Sequence, residues 1–127
     1  MDQRTGFIRY NAYTFIWALL IAVLVLLPGQ NLPQLADSIF SIDKLVHASL
    51  FLGLAFLMVV GFIKQSAYPA LRNKALPYAF ILSISYAVAV EAMQLLSPER
   101  MFETLDMVAN ISGVFGGFIL FFALYKL

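Results

Sequence analysis

The sequence contains no cysteine and only one histidine among 127 residues. Disulfide frameworks, thiolate nucleophiles and multi-histidine metal sites are therefore excluded. Charged residues are scarce at 12% with a net charge of +1, which leaves no basic patch of useful size for nucleic acid. A soluble domain is about a quarter charged, whereas this chain is 62% hydrophobic with a mean hydropathy of +0.88. These deficits predict an integral membrane protein with a single domain, residues 1–127.

Four apolar runs are long enough, or nearly so, to cross about 30 Å of hydrocarbon as helices. They cover residues 10–27, 45–63, 75–96 and 107–125. Strict period-2 alternation is absent, so we predict an all-α protein with four transmembrane helices. The first run resembles a signal peptide, but it lacks a small-x-small cleavage site and we interpret it as a retained span. The loop at residues 29–42 mixes prolines with apolar residues, and we expect a short interfacial helix there.

The distribution of basic residues predicts which side of the membrane each loop faces. The two termini and the second loop carry six of them, while the first and third loops carry only Lys44 and Arg100. Under the positive-inside rule, both termini then lie in the cytoplasm. The six residues are Arg4, Arg9, Lys64, Arg72, Lys74 and Lys126.

With that topology, the polar residues of three spans fall at the outer side of the membrane. An ionisable group at the centre of a lipid-facing helix costs about 2.5–3.5 kcal/mol, so such groups tend to face a bundle interior or an aqueous cavity. Within each span the spacing of these residues places them on one helix face. We predict an outward-facing polar pocket, with Gly113 and Gly117 allowing close helix approach beneath it. The pocket residues are Asp43, Lys44, His47, Glu91, Gln94, Arg100, Asp106 and Asn110.

The residue types suit acid–base chemistry on an anionic ligand. Glu91, His47 and Asp106 are the candidate catalytic groups. Lys44 and Arg100 suit a phosphate or carboxylate, and Asp43, Gln94 and Asn110 complete the ligand-binding set. A metal site of His47, Glu91 and Asp106 is conceivable in ligand type, but its spacing follows no known pattern, so we predict no metal and no cofactor.

Each of these residues also has a structural interpretation. Asp106 fits a helix cap favoured by the macrodipole, Lys44 and Arg100 fit snorkelling anchors, and Asn110 fits an interhelical hydrogen bond. His47 alone is more often a buried, hydrogen-bonded residue than a catalyst. A purely structural interpretation fits Glu91 least well, because no basic residue adjoins it and its partner must come from another helix. Arg100, Lys44 and His47 are the candidate partners.

At these residues the chain resembles the VanZ-like family of small membrane proteins. The resemblance consists of D-K-x-x-H from Asp43 to His47, E-x-x-Q from Glu91 to Gln94, P-x-R ending at Arg100, and D-x-x-x-N-x-x-G-x-x-x-G starting at Asp106. It implies a multi-pass protein of the bacterial cytoplasmic membrane linked to the cell envelope. The namesake of the family confers low-level resistance to the glycopeptide teicoplanin. Met101, Phe102 and Glu103 depart from the family's usual small and polar residues in the third loop.

Two functions from different classes follow. In the first, the pocket binds an anionic membrane lipid or lipid-linked envelope precursor, modifies it if the protein is an enzyme, and affects teicoplanin susceptibility. In the second, the chain is a non-catalytic partner subunit or a small transporter, and its polar residues only pack helices together and hydrogen-bond to one another. A homo-oligomer or a complex with a partner membrane protein is compatible with either function. A transporter requires polar groups near the midplane. The inner halves of the spans are expected to be nearly bare of polar residues, which argues against a transporter.

Overall fold

The computed structural model describes residues 3–26, 42–94, 96 and 104–125, and within these ranges it contains helices and no strand. Four of the helices are long: α1 (Gln3–Leu26), α2 (Ile42–Lys64), α4 (Ala75–Gln94) and α5 (Thr104–Tyr125). A fifth, α3 (Pro69–Asn73), is a single short turn between α2 and α4.

The four long helices are those that the apolar runs predict. Each contains a stretch of 19 to 21 residues that is apolar and long enough to cross a membrane. The all-α prediction with four candidate spans is therefore confirmed. The predicted interfacial helix at residues 29–42 lies almost entirely outside the described residues.

Two features of the helices differ from the sequence-based boundaries. Helix α1 begins at Gln3, well before the predicted span, because a helix satisfies its own backbone groups and continues beyond the apolar stretch. The second loop contains α3, which was not expected. Pro69 lies in its first turn, where the missing N–H costs nothing.

Helix α2 is the centre of the bundle. It packs against each of the other four helices, and its most extensive interface is with α5. The core that results is built largely from α2, whose Phe51, Leu54, Ala55 and Val59 are fully buried. Many large apolar residues on α1 are exposed instead, as expected for a helix that faces lipid on several sides.

Glycine explains how closely α5 approaches α2. A Cβ at Gly113 would overlap the backbone carbonyl oxygen of Ala48, and a Cβ at Gly117 would lie 2.6 Å from the carbonyl oxygen of Leu52. Neither position tolerates a larger residue without moving a backbone, so the predicted role of Gly113 and Gly117 in close packing is confirmed.

Helix α1 is attached to its neighbours by hydrogen bonds from side chains to backbone carbonyl groups. Trp17 Nε1 donates to the carbonyl oxygen of Leu50 on α2 at 2.7 Å. The hydroxyl group of Tyr86 on α4 donates to the carbonyl oxygen of Ala18. Such bonds fix the rotation of a helix that apolar packing alone would leave poorly defined, since lipid tails are as apolar as the side chains.

Candidate functional site

Five of the predicted site residues meet at one end of the bundle. Three helices bring them together: the start of α2, the end of α4 and the start of α5. We call this group the polar cluster. Its members are Lys44, His47, Glu91, Asp106 and Asn110. Four of the five are buried, and Glu91 and Asn110 are 0% exposed.

Asn110 is the hub of the cluster. Its Nδ2 donates to Glu91 Oε1 at 3.2 Å, and its Oδ1 lies 3.0 Å from His47 Nδ1. One amide therefore joins α5 to both α4 and α2. His47 Nδ1 is also 4.0 Å from Glu91 Oε1, so the three side chains form a compact triangle.

The chemistry of the three groups determines the direction of these hydrogen bonds. An ionised carboxylate only accepts hydrogen bonds, so the amide nitrogen of Asn110 must face Glu91 and its oxygen must face His47. His47 then donates through Nδ1–H, and in its neutral form it carries its lone pair on Nε2. The arrangement connects a titratable imidazole to a buried carboxylate through one amide, a geometry suited to general acid–base chemistry.

Lys44 and Asp106 form the ionic part of the cluster. The Lys44 ammonium donates to Asp106 Oδ1, with side chains that are 14% and 9% exposed. Asp106 lies in the first turn of α5, where the helix dipole also favours a negative charge. Most of this ion pair is therefore withdrawn from solvent, and breaking it by removing one partner is costly.

The packing of α2 against α5 sets these distances. Gly113 follows Asn110 by three residues, and Ala48, against which Gly113 packs, follows His47 directly. The backbone approach at Gly113 thus holds the imidazole and the amide within hydrogen-bond distance one turn away.

The predicted partners of Glu91 can now be compared with the structure. His47 lies close to Glu91 as one prediction had it, whereas Lys44 makes its ion pair with Asp106. Arg100 lies outside the described residues, as do the side chains of Asp43 and Gln94. Their roles in the site stay predictions.

Four of the five cluster residues are buried, and Lys44 is partly exposed. Two cavities with volumes of about 360 and 160 Å³ are lined by other described residues. The larger is bordered by Trp17 and by residues of α2 on the side away from the cluster. The open pocket predicted from the sequence therefore stays a prediction.

A second group of buried polar residues was missed by the sequence analysis. Asn11 Nδ2 donates to the carbonyl oxygens of Phe7 and Gly61. Thr14, three residues after Asn11 on α1, and Gln65, which directly follows α2, are also buried. The expectation that the halves of the spans remote from the cluster are nearly bare is therefore wrong for α1, whose Asn11 contacts Gly61 near the far end of α2. The i, i+3 spacing of Asn11 and Thr14 on an apolar helix was the available signal.

Gln65 has a structural explanation. Its amide donates to the carbonyl oxygens of Phe62 and Tyr68 and accepts from the Tyr68 backbone N–H at 2.9 Å. The side chain thus satisfies the backbone groups that become free where α2 ends. It forms the turn that leads into α3.

Comparison with known proteins gives one family. The sequence model of the family described as VanZ/LLP1 matches residues 9–125, nearly the whole chain. No curated protein and no solved structure matches the chain. The match includes all of the predicted site residues, and the resemblance drawn from the sequence motifs is confirmed.

Proposed function

Because the chain belongs to the VanZ/LLP1 family, we propose that it is a multi-pass protein of the bacterial cytoplasmic membrane that binds an anionic lipid or lipid-linked envelope precursor. The observation that supports this proposal is the convergence of the polar cluster. Three helices bring a lysine, a histidine, two acids and an amide to one end of a largely apolar bundle. Groups that are expensive to place in a membrane are typical of a functional site.

Lys44 is the group proposed to hold the headgroup, together with Arg100. Its ammonium already donates to Asp106, but an ammonium has three donors and can bind a phosphate oxygen at the same time. Asp106 then orients the lysine. This explains why a cation and an acid lie together where an anionic ligand is to be recognised.

Glu91 and His47 are the proposed acid–base pair. In a reaction on the bound lipid, the attacking hydroxyl or water forms a bond to the lipid and gives its proton to the Glu91 carboxylate. The bond to the leaving group breaks, and protonated His47 supplies its Nε2 proton to that group and becomes neutral. Asn110 holds both side chains in place through its two hydrogen bonds. Positioned groups of this kind contribute typically 10²–10⁴-fold to a reaction rate.

The reaction is tested by mass spectrometry of envelope lipids and lipid-linked glycans. Cells express wild type, Glu91→Gln or Thr14→Val at matched membrane levels, beside an empty vector. Thr14 is a buried polar residue on another helix and makes no hydrogen bond through its hydroxyl within the described part of the chain, so it is a matched control. A species changed in mass with wild type and Thr14→Val but not with Glu91→Gln supports the enzyme. Because of the phenotype of the family's namesake, teicoplanin susceptibility is a second readout of the same strains.

The proposed orientation places the cluster at the outer face and both termini in the cytoplasm. It is tested with single cysteines, since the chain contains none of its own. Leu96, at the cluster end of α4, and Lys74, at the opposite end of that helix, are both exposed. A membrane-impermeant maleimide applied to intact cells is expected to label Leu96→Cys and not Lys74→Cys. The reverse pattern contradicts the orientation.

The second candidate is a non-catalytic partner subunit or small transporter, and the hydrogen bonds that the cluster residues make to one another favour it. Side chains that are buried and bonded to one another also act simply to join helices. In that case Glu91→Gln lowers the stability or assembly of the protein, and the lipid spectra of all strains agree. Lipids and subunits that co-purify with wild type then identify the partner.

A further inference from the structure

The polar cluster contains three side chains of the kinds that bind metal ions. His47, Glu91 and Asp106 each offer one ligand atom, and these atoms lie within 4.8 Å of one another. All three residues are buried, and they come from three different helices. The spacing of these three residues in the sequence follows no known metal-binding pattern and predicts no metal, whereas the fold brings their ligand atoms together.

We infer that His47, Glu91 and Asp106 form a binding site for one divalent cation, of the Mn²⁺ or Zn²⁺ kind. Zinc holds nitrogen and oxygen ligands tetrahedrally at about 2.0–2.2 Å, so two ligand atoms on one ion lie about 3.3–3.6 Å apart. The three ligand atoms, all within 4.8 Å of one another, reach that distance by side-chain rotations shared among the three residues. One imidazole with two carboxylates suits ions between the oxygen-preferring Mg²⁺ and the sulfur-preferring Cu⁺.

The surroundings of the three ligands match those of a metal site. Asn110 hydrogen-bonds to His47 and to Glu91, as the outer residues that orient metal ligands do. Three protein ligands leave coordination positions for water or another molecule, as in catalytic rather than structural sites.

A cation also resolves a difficulty for an anionic ligand. A phosphate that approaches the cluster meets the carboxylates of Glu91 and Asp106, which repel it. A divalent cation between these carboxylates offsets their charge and offers the phosphate an open coordination position. When the cation is bound, His47 and Glu91 are ligands, so the acid–base roles proposed above belong to the cation-free cluster. The inference goes beyond the proposed lipid binding, and it is tested with the metal alone.

The experiment is titration of the purified full-length protein in detergent with Mn²⁺, followed by the electron paramagnetic resonance signal of the free ion. Wild type is expected to bind about one Mn²⁺ per chain, and Zn²⁺ is expected to displace it. Glu91→Gln and Asp106→Asn each remove a ligand and are expected to abolish binding, and Asn110→Ala to weaken it by roughly 10–100-fold. The control is Thr14→Val, which removes a buried polar group from α1, outside the cluster, and leaves binding unchanged.

Lys44→Gln separates this inference from a mere loss of folding. In wild type the Lys44 ammonium competes with a cation for Asp106. Removal of this ammonium is expected to tighten Mn²⁺ binding by about tenfold or more, which is the effect that one neighbouring charge has on proton binding. Unfolding cannot produce a gain in affinity. Wild type that binds no more Mn²⁺ than Glu91→Gln and Asp106→Asn, or binding that Lys44→Gln leaves unchanged, overturns the inference.

Lipid binding is then measured separately, by capture of phosphatidylglycerol vesicles with EDTA or with Mn²⁺. If the protein binds vesicles in EDTA and binds no Mn²⁺ in the titration, the cation site is overturned and the proposed function stands. Mn²⁺ bound without any vesicle binding supports the cation site and contradicts the lipid proposal.

Discussion

Replacing Gly113 by alanine tests whether the approach of α2 to α5 holds the polar cluster together. The new Cβ would overlap the carbonyl oxygen of Ala48 and lie 3.0 Å from its carbonyl carbon and its Cα. These are backbone atoms of the central helix and cannot rotate away. Since carbon atoms pack best at about 3.5–4.0 Å, the two helices must separate by roughly 1 Å.

The energetic cost of Gly113→Ala follows from that displacement. Overpacking of this kind costs about 1–3 kcal/mol. The bond between His47 and Asn110 lengthens from 3.0 Å beyond hydrogen-bond distance, and each interhelical hydrogen bond in a membrane contributes about 0.6 kcal/mol. Alanine returns up to about 1 kcal/mol through its higher helix propensity. We expect a net loss of about 1–3 kcal/mol in the free energy of unfolding, together with weaker ligand binding.

Gly116→Ala is the matched control on the same helix. Its Cβ would meet only the side chain of Leu52, with Cδ1 at 3.1 Å and Cγ at 3.7 Å, and the end of a leucine side chain can move aside. We therefore expect no loss of stability, and a gain of up to about 1 kcal/mol. The assay is unfolding of the purified variants with SDS, followed by circular dichroism. Equal stability of the two variants would refute the inferred backbone contact between Gly113 and Ala48.

Three further outcomes are expected from the contacts between helices. A double-mutant cycle of Lys44→Met and Asp106→Asn should give a coupling energy of about 0.5–3 kcal/mol, because the pair is largely buried; additive effects contradict the ion pair. Trp17→Phe removes an indole N–H that donates to the backbone of α2 at 2.7 Å and should cost about 0.5–1.5 kcal/mol, with no loss if α1 is not held there. Gly61→Ala would place a Cβ against the buried amide oxygen of Asn11 and should destabilise the α1–α2 interface by about 1–3 kcal/mol. All of these are measured as free energies of SDS unfolding.

Helix number and the placement of the site could be predicted because they depend on single spans. Apolar length determines which segments cross a membrane. A polar residue near the end of a span must meet others at the same end once the direction of each helix is known. Hence His47, Glu91 and Asn110 could be grouped from their positions alone.

The pairings within the site could not be predicted in the same way. They depend on how each helix is rotated, and in a membrane the hydropathy pattern does not define the rotation of a helix, since lipid and protein interior are equally apolar. The sequence offered three candidate partners for Glu91, and it contained nothing to assign Lys44 to Asp106. Asn110 was expected to form one interhelical bond, whereas it bonds to two helices.

The boundary of α1 and the buried Asn11 were missed because both lie beyond what hydropathy measures. A helix extends as far as its backbone bonds can form, whatever the polarity of Gln3 and its neighbours. A single amide on an apolar span lowers the average hydropathy too little to be noticed.

The position of Asn110 on the last helix has a consequence for the synthesis of the protein. Asn110 follows its partner His47 by 63 residues. At about 5–20 residues per second, the ribosome needs roughly 3–13 s to make the segment between them. During that interval α2 is already available for insertion, and Glu91 emerges before the helix that carries its amide partner. A newly made chain therefore holds Glu91 without its amide partner until α5 has been synthesised, and a product truncated before α5 would be a natural substrate for membrane proteases.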